Sequence, residues 1–302
     1  MAELVTQDST NSQSASVGAE LFNDSLNASP LLKTLTKRKV IAGTNFKGLR
    51  RTDSIPGGWR TIGTGVTRNG STYVHVSVDL ALYSNPVRID DAFVKSVKGT
   101  QAIEDILVEE SKSASEGALA SIDASAFNTV ANAPDSLVAL ADESQVYTVA
   151  EEADSDVEYT LAVFVKEPEV EVLFGGDDYL TFGEWQKQQI DVDGKTLTAH
   201  CNDLTAWIAY APKSSKSIAV VKNIGMTGTD VFTDAVVAQV VSECKGMPYT
   251  HIFVNRKAVY QLQQSRKTDL IPTPAWPTES MGIALVVSDN IPGDLAFEDI
   301  EA

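Results

Sequence analysis

Cysteine is scarce in this sequence of 302 residues: Cys201 and Cys244 are the only two. That is too few for a disulfide scaffold and suits a chain that folds in a reducing compartment. No stretch approaches the length of consecutive apolar residues that spans a bilayer, so no membrane helix is expected. The N-terminal MAELVTQDSTNSQSASVGAEL has neither the basic nor the apolar region of a signal peptide. Positive charge is also short, with 24 Lys and Arg against 41 Asp and Glu and a net charge of −17. Sequence-independent nucleic-acid binding needs a net basic face to displace counterions, so that class is disfavoured, although a local basic patch remains compatible with the total. The expectation is an acidic protein that folds in the cytoplasm.

Signatures of chemistry are missing as well. The three histidines, His75, His200 and His251, never fall at the spacing of a helical metal pair. His200 adjoins Cys201, but neighbours on a strand face opposite ways, which argues against a nucleophile pair. Gly63-Thr64-Gly65 lacks the third glycine of a dinucleotide turn, because position 68 is Arg, and no helix follows. There is no Walker-type Gly-Lys-Ser/Thr element. Asp191-Val192-Asp193-Gly194 is like the start of a calcium loop, yet the position that should carry a bidentate Glu is Asn202. Carboxylates are numerous but come without a pocket signal, so a solvated acidic face is the reading, rather than an acid–base pair. No catalytic, metal-binding or cofactor-binding residue is predicted, and no enzymatic activity.

What is present is ordinary core material, 43% hydrophobic residues, at a length that suggests about two domains. Residues 1–29 are rich in Ser, Thr, Asn, Gln and Ala and read as an arm with one short helical piece near Ala19–Leu26. From Lys33 to Arg60 eight cations stand against one acid, Asp53. Turn formers follow, ending in Asn69-Gly70, a hairpin signal. Its right arm, Ser71–Leu80, alternates with period two, and its left arm is placed at Trp59–Thr67. Such a ribbon is marginal alone in water and should lean on something else.

The period then changes. Ile103, Ile106, Leu107, Ala114, Ala118, Ile122 and Ala126 predict an amphipathic helix from Thr100, as a possible N-cap, to about Asn128. Strands are predicted at Val146–Ala150, Tyr159–Lys166, Val170–Phe174, Glu184–Val192, Lys195–Tyr210 and Ser217–Lys222, after a short helix at Asp135–Ala141. Asp193-Gly194 marks a tight hairpin. Trp185 and Trp207 lie in patterns that suggest burial. Between Asp142 and Asp193 there are 15 acids against Lys166 and Lys187. The last third reads as helix Thr229–Cys244, strand Thr250–Asn255, helix Lys257–Gln264, a Pro-rich turn and strand Ile283–Ser288. No internal repeat is found.

One stretch is more specific. Asn255-Arg256, Leu262-Gln263 and Ser265-Arg266 are followed by Pro277-Thr278-Glu279, Gly282 and a Val-rich run into Ser288-Asp289-Asn290-Ile291. This resembles the C-terminal part of the major capsid proteins of certain tailed bacteriophages, in which an "NR–x–LQ–SR" helix precedes a "PTE–GIPI–V–DSI" strand. Ser29-Pro30-Leu31-Leu32, Arg50-Arg51 and Trp59-Arg60 extend the resemblance forward, and it covers most of the chain from about residue 20. It departs at Ala284, where Pro is usual, and across residues 145–195.

The resemblance implies an α+β, HK-97-like capsid fold. Residues 1–32 would be an N-terminal arm and 33–90 an extended hairpin loop leading into a peripheral domain. Residues 91–134 would be the peripheral domain with its spine helix, 135–295 mostly an axial domain with strands returning to the peripheral one, and 296–302 a tail. It implies a shell of pentamers and hexamers around double-stranded DNA, built in the host cytoplasm without cofactor, membrane or catalysis. Portal and scaffolding proteins, and a decoration protein, would be its partners. The basic loop, at Lys47, Arg50, Arg51, Trp59, Arg60 and Arg68, is the predicted subunit interface, meeting the acidic band of a neighbour so as to steer assembly. An encapsulin-like cellular shell, a β-rich tail or decoration module binding carbohydrate, and a small-molecule enzyme are the competing readings.

Overall fold

A computed structural model describes residues 22–23, 25–40, 45–51, 73–96, 100–154, 157–176, 178–192, 194–243, 248–268 and 273–297. Its elements run α1 (Pro30–Thr34), β1 (Thr36–Val40), β2 (Asn45–Arg51), β3 (Tyr73–Asp79), β4 (Ala81–Asp90), α2 (Asp91–Ser96) and α3 (Thr100–Phe127). Then come β5 (Val146–Thr148), β6 (Tyr159–Val165), β7 (Val170–Gly175), β8 (Thr181–Phe182), β9 (Gln186–Val192) and β10 (Lys195–Pro212). The chain closes with β11 (Ile218–Gly225), α4 (Asp234–Glu243), β12 (His251–Val254), α5 (Arg256–Ser265), β13 (Glu279–Ser280) and β14 (Ile283–Val287).

Two sheets and a ribbon result. In the first sheet β10 is the axis: β4 pairs along one edge, while β9, β8 and β7 pair in turn along the other, and β1 adds to β7 in parallel. The second sheet runs β13-β14-β12-β6-β11-β5. β6, with sequence Tyr-Thr-Leu-Ala-Val-Phe-Val, is buried along its whole length, as expected of a strand covered on both faces. Its alternation divides the core. Leu161, Val163 and Val165 join Leu119, Ile122 and Phe127 of α3 and Val172, Phe174, Ile208 and Tyr210 of the first sheet. Ala162 and Phe164 face the other way, onto Val237 and Val240 of α4 and Val259 and Leu262 of α5. Each such fully buried Leu, Ile, Val or Phe contributes roughly 1.5–3 kcal/mol, so α3 is held by its apolar stripe.

α3 has 28 residues and spans about 42 Å. Thr100 is its first helical residue, not its N-cap. Both two-residue hairpins follow from their turn residues. Gly194 (φ +75°) closes β9–β10, and Met281 and Gly282 (φ +52° and +78°) close β13–β14, where positive φ at both central positions is what a type I′ turn requires.

Several expectations need correction. Residues 135–141 form no helix: Leu140 N–H bonds the Ser136 carbonyl at 3.0 Å, and the turn goes no further. A single turn repays its nucleation poorly, and here Leu137, wholly buried, anchors an irregular segment instead. α4 begins at Asp234 rather than Thr229, because Asp230 gives its carbonyl to Gly225 N–H at 2.7 Å and Phe232 N–H bonds Gln261 at 3.4 Å. Among the described residues β3 pairs with β2, with Arg51 opposite Tyr73 and Asn45 opposite Asp79. Residues 59–67, the Asn69-Gly70 turn and Cys244 lie outside the described residues. Trp185 and Trp207 are half-buried only. Of the N-terminal helical piece, Phe22, Asn23 and Ser25 are helical and a 3-10 turn occupies Leu26–Ala28.

Candidate assembly surface

The β2–β3 ribbon is fastened at one end and bare at the other. At its base Phe46 and Val78 pack on the small core of Val40, Leu80, Leu173 and Ala209, and the Arg38 guanidinium lies 5.2 Å from the Phe46 ring centre. Asn45 Nδ2 donates to Ser77 Oγ at 2.7 Å and also to the Asp79 carboxylate. Further along, Tyr73, Val74 and His75 are exposed in succession. Neighbours on a strand point to opposite faces, so neither face has a cover among the described residues. Tyr73 is 59% exposed and Val74 47%.

The basic segment divides. The cations of α1 and β1 are used within the chain: Lys33 donates to Asn27 Oδ1 at 3.0 Å and Lys37 to the Leu32 carbonyl at 2.7 Å. Burial pushes the Lys37 ammonium below the usual lysine pKa, against the pull of Glu167. Arg38 meets Glu171 at 3.6 Å, while Lys39 meets Asp178 at 4.0 Å and lies over the Tyr179 ring. These acids belong to the predicted acidic band, which is thus partly engaged by the chain's own cations. Lys47 is exposed on β2, and Arg50 and Arg51 are that strand's last two residues. Trp59, Arg60 and Arg68 lie outside the described residues.

The C-terminal motif residues prove to be fasteners. Asn255 caps α5, accepting from Lys257 N–H at 2.9 Å, and its Nδ2 donates to the Ile291 carbonyl at 2.7 Å. Arg256 holds Asp289 in a two-pronged pair at 2.9 and 2.6 Å, which lowers that carboxyl's pKa. Leu262 is fully buried, Gln263 donates to the Pro274 carbonyl at 2.6 Å, and Ser265 to the Leu262 carbonyl at 2.8 Å. Arg266 grips Asp234 through two bonds of 2.7 Å and reaches the Glu279 carbonyl at 3.0 Å, while Ser280 Oγ donates to the same aspartate at 2.5 Å. These donors, Arg266 foremost, hold Asp234 below the ordinary carboxylate pKa although partial burial opposes them. Pro277 is buried, and Leu285 N–H returns to the Thr278 carbonyl at 2.9 Å, so Gly282 sits at the tip of a closed hairpin.

Asp123 was not singled out by sequence, and it joins both ends of the motif. Wholly buried on α3, its Oδ1 accepts from Ser29 Oγ at 2.8 Å and Leu31 N–H at 2.9 Å, and its Oδ2 from Ser288 Oγ at 2.6 Å and Asn290 Nδ2 at 2.9 Å. The available signal was one acid inside an otherwise apolar stripe. A second missed acid, Asp91, takes Lys187 at 2.7 Å, Lys95 at 2.6 Å and His200 at 3.2 Å. Lys187 and then Lys95 hold its carboxyl far below the usual range. Tyr210, buried on β10, donates to the Ile122 carbonyl at 2.7 Å, and burial pushes its phenol above the ordinary tyrosine pKa. Among the described residues no set of His, Cys, Asp and Glu gathers to hold a metal, and no helix is long and apolar enough to cross a membrane.

No family model matches the chain, and no curated protein matches it. Solved structures do. A chain of bacteriophage Epsilon15, from a near-atomic cryo-EM structure, is similar over 86% of this chain and 88% of its own, with a TM-score of 0.59 at 14% identity. A chain of the bacteriophage JBD30 capsid is similar over 86% of this chain and 89% of its own, with a TM-score of 0.54 at 8% identity. This α+β chain therefore has the HK-97-like fold of phage capsid chains.

Proposed function

We propose that this chain is the major capsid protein of a tailed phage, whose copies assemble as pentamers and hexamers of an icosahedral head enclosing double-stranded DNA. The observation that carries the reading is the β2–β3 ribbon, exposed on both faces where it leaves the body, on a chain with a capsid fold. A two-stranded ribbon is marginal in water, and a neighbouring copy supplies the missing cover. On this reading residues 1–32 are the arm, and the first sheet with α3 is the peripheral domain. The second sheet with α4 and α5 is the axial domain, and residues 170–212 return to the peripheral one. The net charge of −17 favours a shell that does not adsorb the duplex it encloses. Folding and assembly take place in the host bacterial cytoplasm. A portal and a scaffolding protein are the partners such a shell implies, with a decoration protein as a further one.

Negative-stain microscopy of the expressed chain tests this. Rings or closed shells are expected, and dispersed monomers across protein and salt concentrations overturn it. Closed shells that form only around an enzyme cargo would instead make it a cellular compartment.

A further inference from the structure

On this acidic chain there is a place where cations gather around one acid. Asp91 opens α2 where the chain leaves β4, and it is only 6% exposed. Its Oδ1 takes the Lys187 ammonium at 2.7 Å and lies 3.2 Å from His200 Nε2, and its Oδ2 takes the Lys95 ammonium at 2.6 Å. These partners come from three elements. Lys95 stands one turn after Asp91 on α2, while Lys187 of β9 lies directly opposite His200 of β10.

A structural clamp needs less than this. One ammonium balances one carboxylate, so the second lysine leaves a surplus positive charge, and a protonated His200 adds to it. The neighbouring acid, Asp90, is turned to the first turn of α2, where it accepts from Ala92 N–H at 2.8 Å. An ammonium carries three donors. One of each meets Asp91, and neither lysine has another partner among the described residues. The Lys187 side chain is 48% exposed and that of Lys95 69%, so their remaining donors face solvent.

The buried carboxylate therefore holds two long side chains ready for a ligand, which removes much of the entropy cost of fixing them on binding. It also raises the Lys95 pKa above the ordinary lysine value and so keeps that ammonium charged. The two ammoniums sit on the two oxygens of one carboxylate, close enough for one anion to bridge them. A phosphate group suits such a pair, because it brings more than a single oxygen and lysine binds it as a point charge.

We propose that Lys95 and Lys187, held on Asp91, form an anion site that takes a phosphate group, free or in a nucleic-acid backbone. The site belongs to the single chain, so it stands or falls apart from the shell reading. Its field is local, since screening confines surface charges to about 8 Å at physiological salt. It therefore provides one point of contact, distinct from the general adsorption that a net charge of −17 disfavours. A contact of this kind on a duplex releases about one counterion and weakens with salt accordingly.

Equilibrium dialysis of the full-length chain against radiolabelled inorganic phosphate in dilute chloride buffer tests it. Saturable uptake of about one phosphate per chain is expected. Lys95→Gln with Lys187→Gln should weaken uptake at least tenfold, while Lys257→Gln on α5 leaves it unchanged. Lys95→Gln alone keeps Asp91 paired to Lys187 and His200, so this variant stays folded and should still lose affinity severalfold. A short DNA duplex added as competitor separates the sources. Displacement of phosphate that fades with salt assigns the site to a nucleic-acid backbone, and no displacement assigns it to small phosphate compounds. Absence of saturable uptake by the wild-type chain, or uptake unchanged in Lys95→Gln, overturns the inference.

Discussion

Asp123 Oδ2 and Ser288 Oγ lie 2.6 Å apart although 165 residues separate them in the chain. The same carboxylate holds Ser29 and Leu31, so one buried acid on α3 ties the segment before β1 to the segment after the last strand, β14. Asp123→Ala leaves four donors facing an apolar gap, and unsatisfied buried donors cost about 1–3 kcal/mol each. With local relaxation the expected loss is about 3 kcal/mol, read as a lower denaturant midpoint with unchanged slope. Exchange should quicken at residues 29–32 and 288–291 before the rest. Unchanged stability would show that the four bonds are individually replaceable by water.

Arg266 and Asp234 make the corresponding tie in the second sheet. The folded pKa of Asp234 is depressed, so its contribution is complete above the unfolded value, near 3.9, and is lost as pH falls through the folded one. Asp91, depressed further, loses its contribution lower still. Stability should therefore hold above about pH 5 and fall progressively below about pH 4. Because the pair is partly exposed, Arg266→Ala should cost on the order of 1 kcal/mol after screening. It should also flatten the acid limb, as titration of midpoint against pH would show. An unaltered acid limb in that variant would assign it to other carboxylates.

The turn at Met281-Gly282 tests backbone geometry alone. Gly282 has φ +78° and open space around its Cα. Replacement by Ala should thus cost about 1 kcal/mol through the left-handed conformation and nothing through a clash. Thermal unfolding of Gly282→Ala measures it, and a loss above about 3 kcal/mol would point to a distorted hairpin.

The two halves of the basic segment should respond differently to charge reversal. Arg38→Glu meets Glu171 within its own chain and should lower monomer stability. Arg50→Glu with Arg51→Glu should leave monomer stability unchanged and impair assembly, with a salt dependence that follows screening. Melting curves and sedimentation across salt concentrations separate the two effects. Normal assembly of the double variant at every salt concentration would remove the charge argument.

Much of this was legible because it is periodic. α3 was readable from its Ile and Ala spacing, and β6, β7, β10 and β12 from apolar runs or alternation. The Asp193-Gly194 hairpin was readable from its turn residues. What was missed depends on contacts distant in sequence. The pairing of β2 with β3 is made at the base of the ribbon, where Phe46 and Val78 find Leu173 and Ala209. Asp123, Asp234 and Asp91 look like ordinary surface acids until the fold brings Ser288, Arg266 and Lys187 to them. The motif around Asn255 and Arg266 signalled a fold, and its residues are caps and clamps within the chain.

The most direct test of the central claim is a cryo-EM reconstruction of the particle formed by the expressed chain. The ribbon of residues 45–51 and 73–79 should rest on another copy, with Tyr73 and Val74 covered. A particle in which that ribbon touches only its own subunit, or a homogeneous monomer that never closes into a cage, would contradict it.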